Sequence, residues 1–387
     1  MNKKKIGLCM TFQGTNYGQL LQAYALQQKI DSLGYDTEII KYHSGKDKGI
    51  KFSFAAAYVT VHTALKIINK KLVKRKRNDE RIDVSHKTNI VERNKVSSIF
   101  RDNFFHDIVK INGYTKLVKK SEKYKAVVVG SDQVWLPEIA VTNFYTLRFA
   151  QENVKRISYA TSMGVSSYPK YLQKSAAEYW RKIDYISVRE NRAKQIIKEI
   201  SGVDAKVVAD PTYLLTSEEW EMRIPTKKVI KPNYVLCYFL GDSEPLKKFA
   251  REFANKKGLR LVSILSNECN SDDTKFADEV LVGKSPEEFI NLIRNAEYVL
   301  TDSFHGLAFS VINEKQFYVF YRNRVDVKQS RNSRIDNIVK IWGLENRLVK
   351  NPEQLDYDDS IIDYQMVTRK RMSFREDSLN FLKEALE

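Results

Sequence analysis

Short β-branched and aromatic runs alternate with stretches of helical spacing along the whole chain. No other feature constrains the fold as much, because strands alternating with helices build parallel sheets covered by helices. Ile6 to Met10 reads as the first strand, and Leu20, Leu21, Tyr24, Ala25 and Ile30 then repeat at helical spacing until Gly34 closes the helix. Thr37 to Ile40, Ala126 to Val129, Ile157 to Ala160, Tyr185 to Val188 and Val207 to Ala209 read as further strands, and residues 50–120 as mostly helical and basic. A second series follows Pro225 and Pro232: Tyr234 to Leu240, Leu259 to Ile264, Glu279 to Val282, Tyr298 to Leu300 and Phe317 to Phe320, with helices at Glu244 to Lys257 and Pro286 to Arg294. The pattern predicts an α/β protein of two Rossmann-like domains. Residues 1–224 form the first, with the basic helical insertion, and 225–387 the second. Thr216 to Pro232 has the charge and proline content of a linker. A chain of 387 residues exceeds what one small core organises. Ligands in such sheets bind at the carboxyl ends of the strands, so the interdomain cleft is the expected site.

Composition excludes several classes. Cys9, Cys237 and Cys269 lie far apart with no CxxC pair, which argues against a disulfide framework or zinc site and suits a reducing cytoplasm. His43, His62, His86 and His106 are scattered, so no metal-ligand spacing appears. The apolar run after the basic Met1 to Lys5 is short and broken by Thr11, Gln13 and Gly14, unlike a signal peptide. No stretch reaches the roughly 18 apolar residues of a membrane span. The formal net charge of +17 favours anionic partners. Part of it sits in Lys66 to Arg81, which includes Lys70, Lys71, Lys74, Arg75, Lys76 and Arg77. That run is either a solvated face or, given Leu65, Ile67, Ile68 and Leu72 beside it, a peripheral patch for an anionic membrane. Nucleic acid is not expected, since no finger or aromatic RNA-binding motif accompanies the charge.

Several strand ends carry chemistry. Gly14-Thr15-Asn16-Tyr17-Gly18 joins a strand to a helix start and is either a tight turn or a ligand loop. In Val129-Gly130-Ser131-Asp132-Gln133-Val134-Trp135, Asp132 is either a helix cap or an acid–base group, and Trp135 either packs or walls a sugar ring. Arg189, leaving a strand in Ser187-Val188-Arg189-Glu190, is either an anion clamp or the partner of Glu190. Asp210, before Pro211, reads as turn chemistry. In Thr301-Asp302-Ser303-Phe304-His305-Gly306, His305 occupies the same kind of position as Asp132 and Arg189, with Gly306 opening a helix toward the cleft. No Ser/His/Asp triad or Cys/His dyad can be assembled.

Taken in order, these segments, with Leu20-Leu21-Gln22-Ala23-Tyr24-Ala25-Leu26, Ser158-Tyr159-Ala160-Thr161-Ser162-Met163-Gly164 and Ser333-Arg334-Ile335-Asp336, make the chain resemble the polysaccharide pyruvyl transferases from about residue 5 to 345. The resemblance implies a GT-B-like arrangement of the two domains, with the first on the acceptor side and the second on the donor side. The last helix, around Arg369 to Leu386, is expected to cross back onto the first domain. It also implies transfer of pyruvate from phosphoenolpyruvate, with no further cofactor, to two hydroxyls of a sugar as a ketal. The setting would be cytoplasmic assembly of capsule, exopolysaccharide or cell-wall glycan on lipid-linked or nucleotide-linked acceptors. By analogy His305, Arg189 and Asp132 are the catalytic group, with Asn16, Tyr17, Gly18, Ser131, Ser303, Gly306 and Arg334 around the substrates. One departure stands out. Many members carry an arginine two places before the histidine, and here that place is Ser303. Arg322, Arg324, Lys328, Arg331 and Arg334 follow the next strand and are candidates to replace the missing cation. Two rivals share these features: a GT-B glycosyltransferase using a nucleotide sugar, and a non-catalytic glycan-binding member.

Overall fold

The computed structural model describes residues 5–45, 47, 49, 84–266, 276–322 and 333–387. Two sheets, all parallel, organise them. The first contains β1 (Lys5–Cys9), β2 (Thr37–His43), β3 (Ile108–Asn112), β4 (Tyr124–Val129), β5 (Lys155–Thr161), β6 (Tyr185–Val188) and β7 (Lys206–Val207), in the order β3-β2-β1-β4-β5-β6-β7. The second contains β8 (Tyr234–Tyr238), β9 (Arg260–Ile264), β10 (Glu279–Leu281), β11 (Tyr298–Thr301), β12 (Gln316–Phe320) and β13 (Leu348–Val349), in the order β10-β9-β8-β11-β12-β13. The helices are α1 (Tyr17–Ser32), α2 (Val84–Phe104), α3 (Tyr114–Ser121), α4 (Lys170–Trp180), α5 (Asn191–Ser201), α6 (Ser217–Arg223), α7 (Glu244–Lys257), α8 (Pro286–Asn295), α9 (Phe304–Ile312), α10 (Ser333–Trp342) and α11 (Tyr364–Leu386).

The central strands are covered on both faces. Val127, Val128 and Val129 of β4 and Val235, Leu236 and Cys237 of β8 are wholly buried. That is why these strands read as continuous apolar runs rather than as alternating ones. Each sheet is a Rossmann-like winding that reverses between its first strand and the strand beside it, β1/β4 in one and β8/β11 in the other. Those switch points are where such sheets hold ligands.

Helix α11 returns to the first sheet. Ser378 Oγ accepts from Ala209 N at 2.9 Å, and Arg375 Nε donates to Leu214 O at 2.9 Å. The same helix holds the second domain, since Arg371 Nη1 donates to Val311 O and Ile312 O at 3.1 and 3.0 Å. Tyr17, at the start of α1, closes the contact from the other side. Its ring stacks on Phe289 with centroids 4.5 Å apart, and its hydroxyl donates to Lys284 O at 2.8 Å. Two α/β domains thus face each other in a GT-B-like arrangement.

The structure departs from the sequence expectations in three places. Ile108–Asn112, inside the expected helical insertion, is the edge strand β3 paired with β2; it is short, and of its apolar Ile108, Val109 and Ile111 only the last is buried. The short strand β13 was also missed. The expected linker holds α6, started by a capping box in which Thr216 Oγ1 accepts from Glu219 N while Thr216 N donates to Glu219 Oε2. The wholly buried Trp220 anchors that helix by donating to Thr212 O at 2.9 Å. The basic run Lys66 to Arg81 lies outside the described residues. Among the described residues no helix is long and apolar enough to cross a membrane.

Candidate active site

The site is assembled from loops at the two switch points, joined by Arg189 after β6 and Asp210 after β7. In the second domain Thr301 ends β11 and donates its hydroxyl to Tyr238 O at 2.6 Å. Asp302 accepts from Leu240 N at 2.7 Å and Gly241 N at 2.8 Å, which ties the loop after β11 to the loop after β8. Ser303 caps α9, its hydroxyl accepting from Gly306 N at 3.3 Å. This scaffold holds His305 in the first turn of α9 with 7% of its surface exposed.

The first domain supplies the rest. Beyond β4 the backbone passes so close to β5 that a Cβ on Gly130 would sit 1.9 Å from Tyr159 O, and the residue takes φ +144°. Only glycine fits there. Asp132 follows in the left-handed region at φ +71°, which aspartate tolerates better than most residues. Ser131 N donates to Gln22 Oε1 at 3.1 Å, and Ser131 Oγ lies 2.9 Å from Ala160 O and 3.3 Å from Asp210 Oδ2. Arg189 leaves β6 and donates from Nη1 to Asp210 Oδ2 at 2.5 Å, while its Nη2 lies 3.5 Å from Asp132 Oδ1. Its guanidinium also stands 4.4 Å from the centroid of the Phe304 ring of the other domain. His305 Nε2 lies 3.7 Å from Asp210 Oδ2. One carboxylate oxygen thereby faces a guanidinium of the first domain and an imidazole of the second.

Electrostatics follow from this crowding. Burial would raise the Asp132 carboxyl, but Arg189, His305 and Arg334 outweigh it and hold the group below the ordinary carboxylate range. Asp210 follows the same pattern more strongly: burial is outweighed by His305 and Arg189, and its carboxyl is held well below the usual range. Arg189 is driven the other way, burial being overcome by Asp210, Asp132 and Glu190. Arg334, near the start of α10, is pulled down to about 10 by burial and by Arg189, only partly offset by Asp132 and Glu190. Its Nε is enclosed without a hydrogen-bond partner, as are Nε of Arg189 and Nε2 of His305.

The expected residues divide into two groups. His305, Arg189, Asp132, Ser131 and Arg334 come together. Gly18 joins them, because a Cβ there would fall 1.9 Å from His305 Nδ1, so the backbone of α1 lies directly against the imidazole. The others carry structural contacts. The Asn16 side chain caps α1 by accepting from Gly18 N at 2.9 Å and Gln19 N at 3.3 Å. Tyr17 is wholly buried between the domains. Gly306 N is taken up by the Ser303 hydroxyl. Gly306 is there for space, since a Cβ would meet Thr301 Oγ1 at 2.4 Å. Glu190 is not the partner of Arg189 by hydrogen bond. Its Oε1 accepts from Ser162 Oγ at 3.0 Å and Met163 N at 2.9 Å. Trp135 packs, wholly buried, against Tyr179 and Trp180. Of the candidate replacement cations, Arg322 lies with its Nε 3.4 Å from Asp302 Oδ2, while Arg324, Lys328 and Arg331 lie outside the described residues. Asp210 is the residue that sequence reasoning undervalued. Its Oδ1 makes the expected turn, accepting from Thr212 N at 3.0 Å, but Oδ2 is the meeting point of the site. The available signal was its place at a strand end beside the Arg189 strand. Among the described residues no group of three His, Cys, Asp or Glu is placed to hold a metal ion.

Two Rossmann-like domains bring cationic and acidic side chains from both halves together at one cleft. The chain belongs to the polysaccharide pyruvyl transferase family, whose model matches residues 16–324. No curated protein matches the sequence. Among solved structures, the UDP-GlcNAc 2-epimerase of Methanocaldococcus jannaschii is 13% identical, with 94% of this chain and 98% of that chain covered and a TM-score of 0.49. The Neisseria meningitidis UDP-GlcNAc 2-epimerase bound to UDP-GlcNAc gives 10%, 97%, 99% and 0.47 for the same quantities. Escherichia coli heptosyltransferase WaaC with ADP gives 11%, 96%, 99% and 0.39. At these values the likenesses carry nothing about this chain's chemistry.

Proposed function

We propose that the protein transfers pyruvate from phosphoenolpyruvate to two hydroxyls of a sugar, forming a ketal during assembly of a capsule, exopolysaccharide or cell-wall glycan. The observation that carries the reading is the meeting of Arg189 and His305 at Asp210, with Asp132 beside Arg189 and Arg334 near enough to act on both Arg189 and Asp132. Arg334 is set against Arg189 and only partly offset by Asp132 and Glu190, an opposition that an anionic ligand would relieve. The donor carries two anionic groups, a carboxylate and a phosphate, and bidentate guanidinium forks suit both. Arg334 takes the part of the arginine replaced by Ser303.

The chemistry balances as follows. A proton is delivered to C3 of the enol, and C2 becomes electrophilic. The first sugar hydroxyl bonds to C2 and gives up its proton. The second hydroxyl bonds to C2 as the bond to the phosphate oxygen breaks, and its proton leaves on the phosphate. One proton of the diol is thus accounted for at C3 and the other on inorganic phosphate. His305 is assigned the acid, Asp132 the base that orients the hydroxyl, and Arg189 with Arg334 the stabilisers of the departing phosphate and the carboxylate. Asp132 suits its part because its carboxyl is held ionised. Rigid placement of these groups on strand ends matters more than any single acidity.

The basic run Lys66 to Arg81 is assigned to peripheral contact with an anionic membrane surface, where lipid-linked acceptors reside. Replacing Lys74, Arg75, Lys76 and Arg77 with Gln should then abolish sedimentation with anionic vesicles and leave activity on a soluble acceptor. The reading as a whole is tested by incubation with labelled phosphoenolpyruvate and a panel of lipid-linked and nucleotide-linked sugars, read by mass spectrometry for pyruvyl addition.

A further inference from the structure

We infer that Asp210 is a positioning residue, whose Oδ2 sets Arg189 of the first domain and His305 of the second at one fixed spacing. The inference rests on the transferase reading for its activity readout but not for its structural one. The Asp210 side chain is fully enclosed, whereas those of Asp132 and His305 keep 13% and 9% exposure. Both of its oxygens are already engaged by protein groups. Each of its oxygens has a separate task. Oδ1 accepts from Thr212 N and from Thr212 Oγ1 at 3.0 and 2.9 Å, which locks the carboxylate plane to the turn after β7. Oδ2 receives Arg189 Nη1 at 2.5 Å and lies 3.3 Å from Ser131 Oγ, with His305 Nε2 at 3.7 Å.

The geometry has a consequence for the domains. The Arg189 and Ser131 contacts lie within the first domain, and the His305 approach exists only while α9 is seated against it. Asn337 of α10 reinforces the seating by donating from Nδ2 to Arg189 O at 3.3 Å. His305 Nε2 makes no hydrogen bond, and Asp210 Oδ2 at 3.7 Å is the carboxylate oxygen it approaches. Asp210 is therefore the group against which the imidazole is registered, and it couples the closing of the cleft to the alignment of acid and anion clamp. A displacement of about 1 Å in such an arrangement costs on the order of 10² in rate.

Two variants test this. Asp210→Glu keeps a negative charge opposite Arg189, and so keeps the fold, but advances the carboxylate by one methylene. Asp210→Asn keeps the acceptor toward Thr212 and puts a donor toward Arg189. For Asp210→Glu the expected result is kcat lower by about 10 to 10², an unchanged KM for the acceptor sugar and a melting temperature close to that of the wild type. A second readout uses protein labelled with nitrogen isotope in its five histidines, with the His305 signal assigned by its loss in His305→Ala. Both Asp210 variants should shift that signal, and both should weaken its response to added inorganic phosphate. This readout stands even if no pyruvyl transfer is found. The inference is overturned if Asp210→Glu turns over like the wild type. It is equally overturned if activity falls only in step with folded protein while the His305 signal and its phosphate response stay as in the wild type.

Discussion

Replacing Gly18 with alanine is a small perturbation with a large expected consequence. The new Cβ would lie 1.9 Å from His305 Nδ1, 2.3 Å from Cγ and 2.5 Å from Cε1. Relaxed contacts between such atoms are about 3.5 Å or more, so imidazole and helix must separate by roughly 1.5 to 2 Å. His305 would leave its place beside Asp210, and the rate should fall by about 10² or more. Stability should change little, for two opposing reasons. Overpacking costs about 1 to 3 kcal/mol, but the strain lies between domains and is relieved by slight opening of the cleft. Alanine is also favoured over glycine in α1 by up to about 1 kcal/mol. The assay pairs steady-state pyruvyl transfer with thermal melting and small-angle scattering, the last reporting cleft opening. Wild-type kcat with an unchanged scattering profile would refute the reasoning, because His305 would then tolerate displacement.

Three further outcomes follow from the same geometry. His305→Ala should lower kcat by about 10² to 10⁴, the range for a lost general acid or base, with melting nearly unchanged; activity lost only in proportion to unfolding would make the histidine structural. Arg334→Gln should raise the melting temperature of the ligand-free protein, since it removes a partly buried guanidinium set against Arg189. The same change should abolish the further stabilisation that phosphoenolpyruvate or phosphate gives the wild type, as followed by thermal shift. Asp132 and Asp210 have carboxyls depressed in the folded state, so their contribution is present above the unfolded value of about 4 and is lost as pH falls below it. Denaturant unfolding between about pH 5 and 3 should show stability declining with acid, and Asp210→Asn should flatten that decline.

The layout of both sheets was legible because parallel strands buried on both faces are written as unbroken apolar runs, as in Ala126 to Val129 and Tyr298 to Leu300. Edge strands do not follow that rule, and β3, whose Ile108 and Lys110 are exposed, went unread for that reason. The helix α6 was hidden by its charges, though Thr216 followed three places later by Glu219 is a capping pattern visible in the sequence. The strand-end positions of Asp132, Arg189 and His305 were legible because the ladder fixes which end of each strand faces the cleft. What each side chain does there was not, because that depends on neighbours from other strands. Arg189 chose Asp210 over the adjacent Glu190, and the Gly18 contact with His305 joins positions in separate domains. Only folding sets such distances.

The central claim is that an enolpyruvate donor is consumed at the cleft where Arg189, Arg334 and His305 meet. The most direct measurement offers the wild type and His305→Ala carbon-labelled phosphoenolpyruvate with the sugar panel, and follows both products together. The account predicts labelled pyruvate joined to a sugar as a ketal, one inorganic phosphate released per transfer, and both lost in the variant. Release of a nucleotide from a nucleotide-sugar donor, or binding of glycan with no label transferred to any sugar offered, would contradict it.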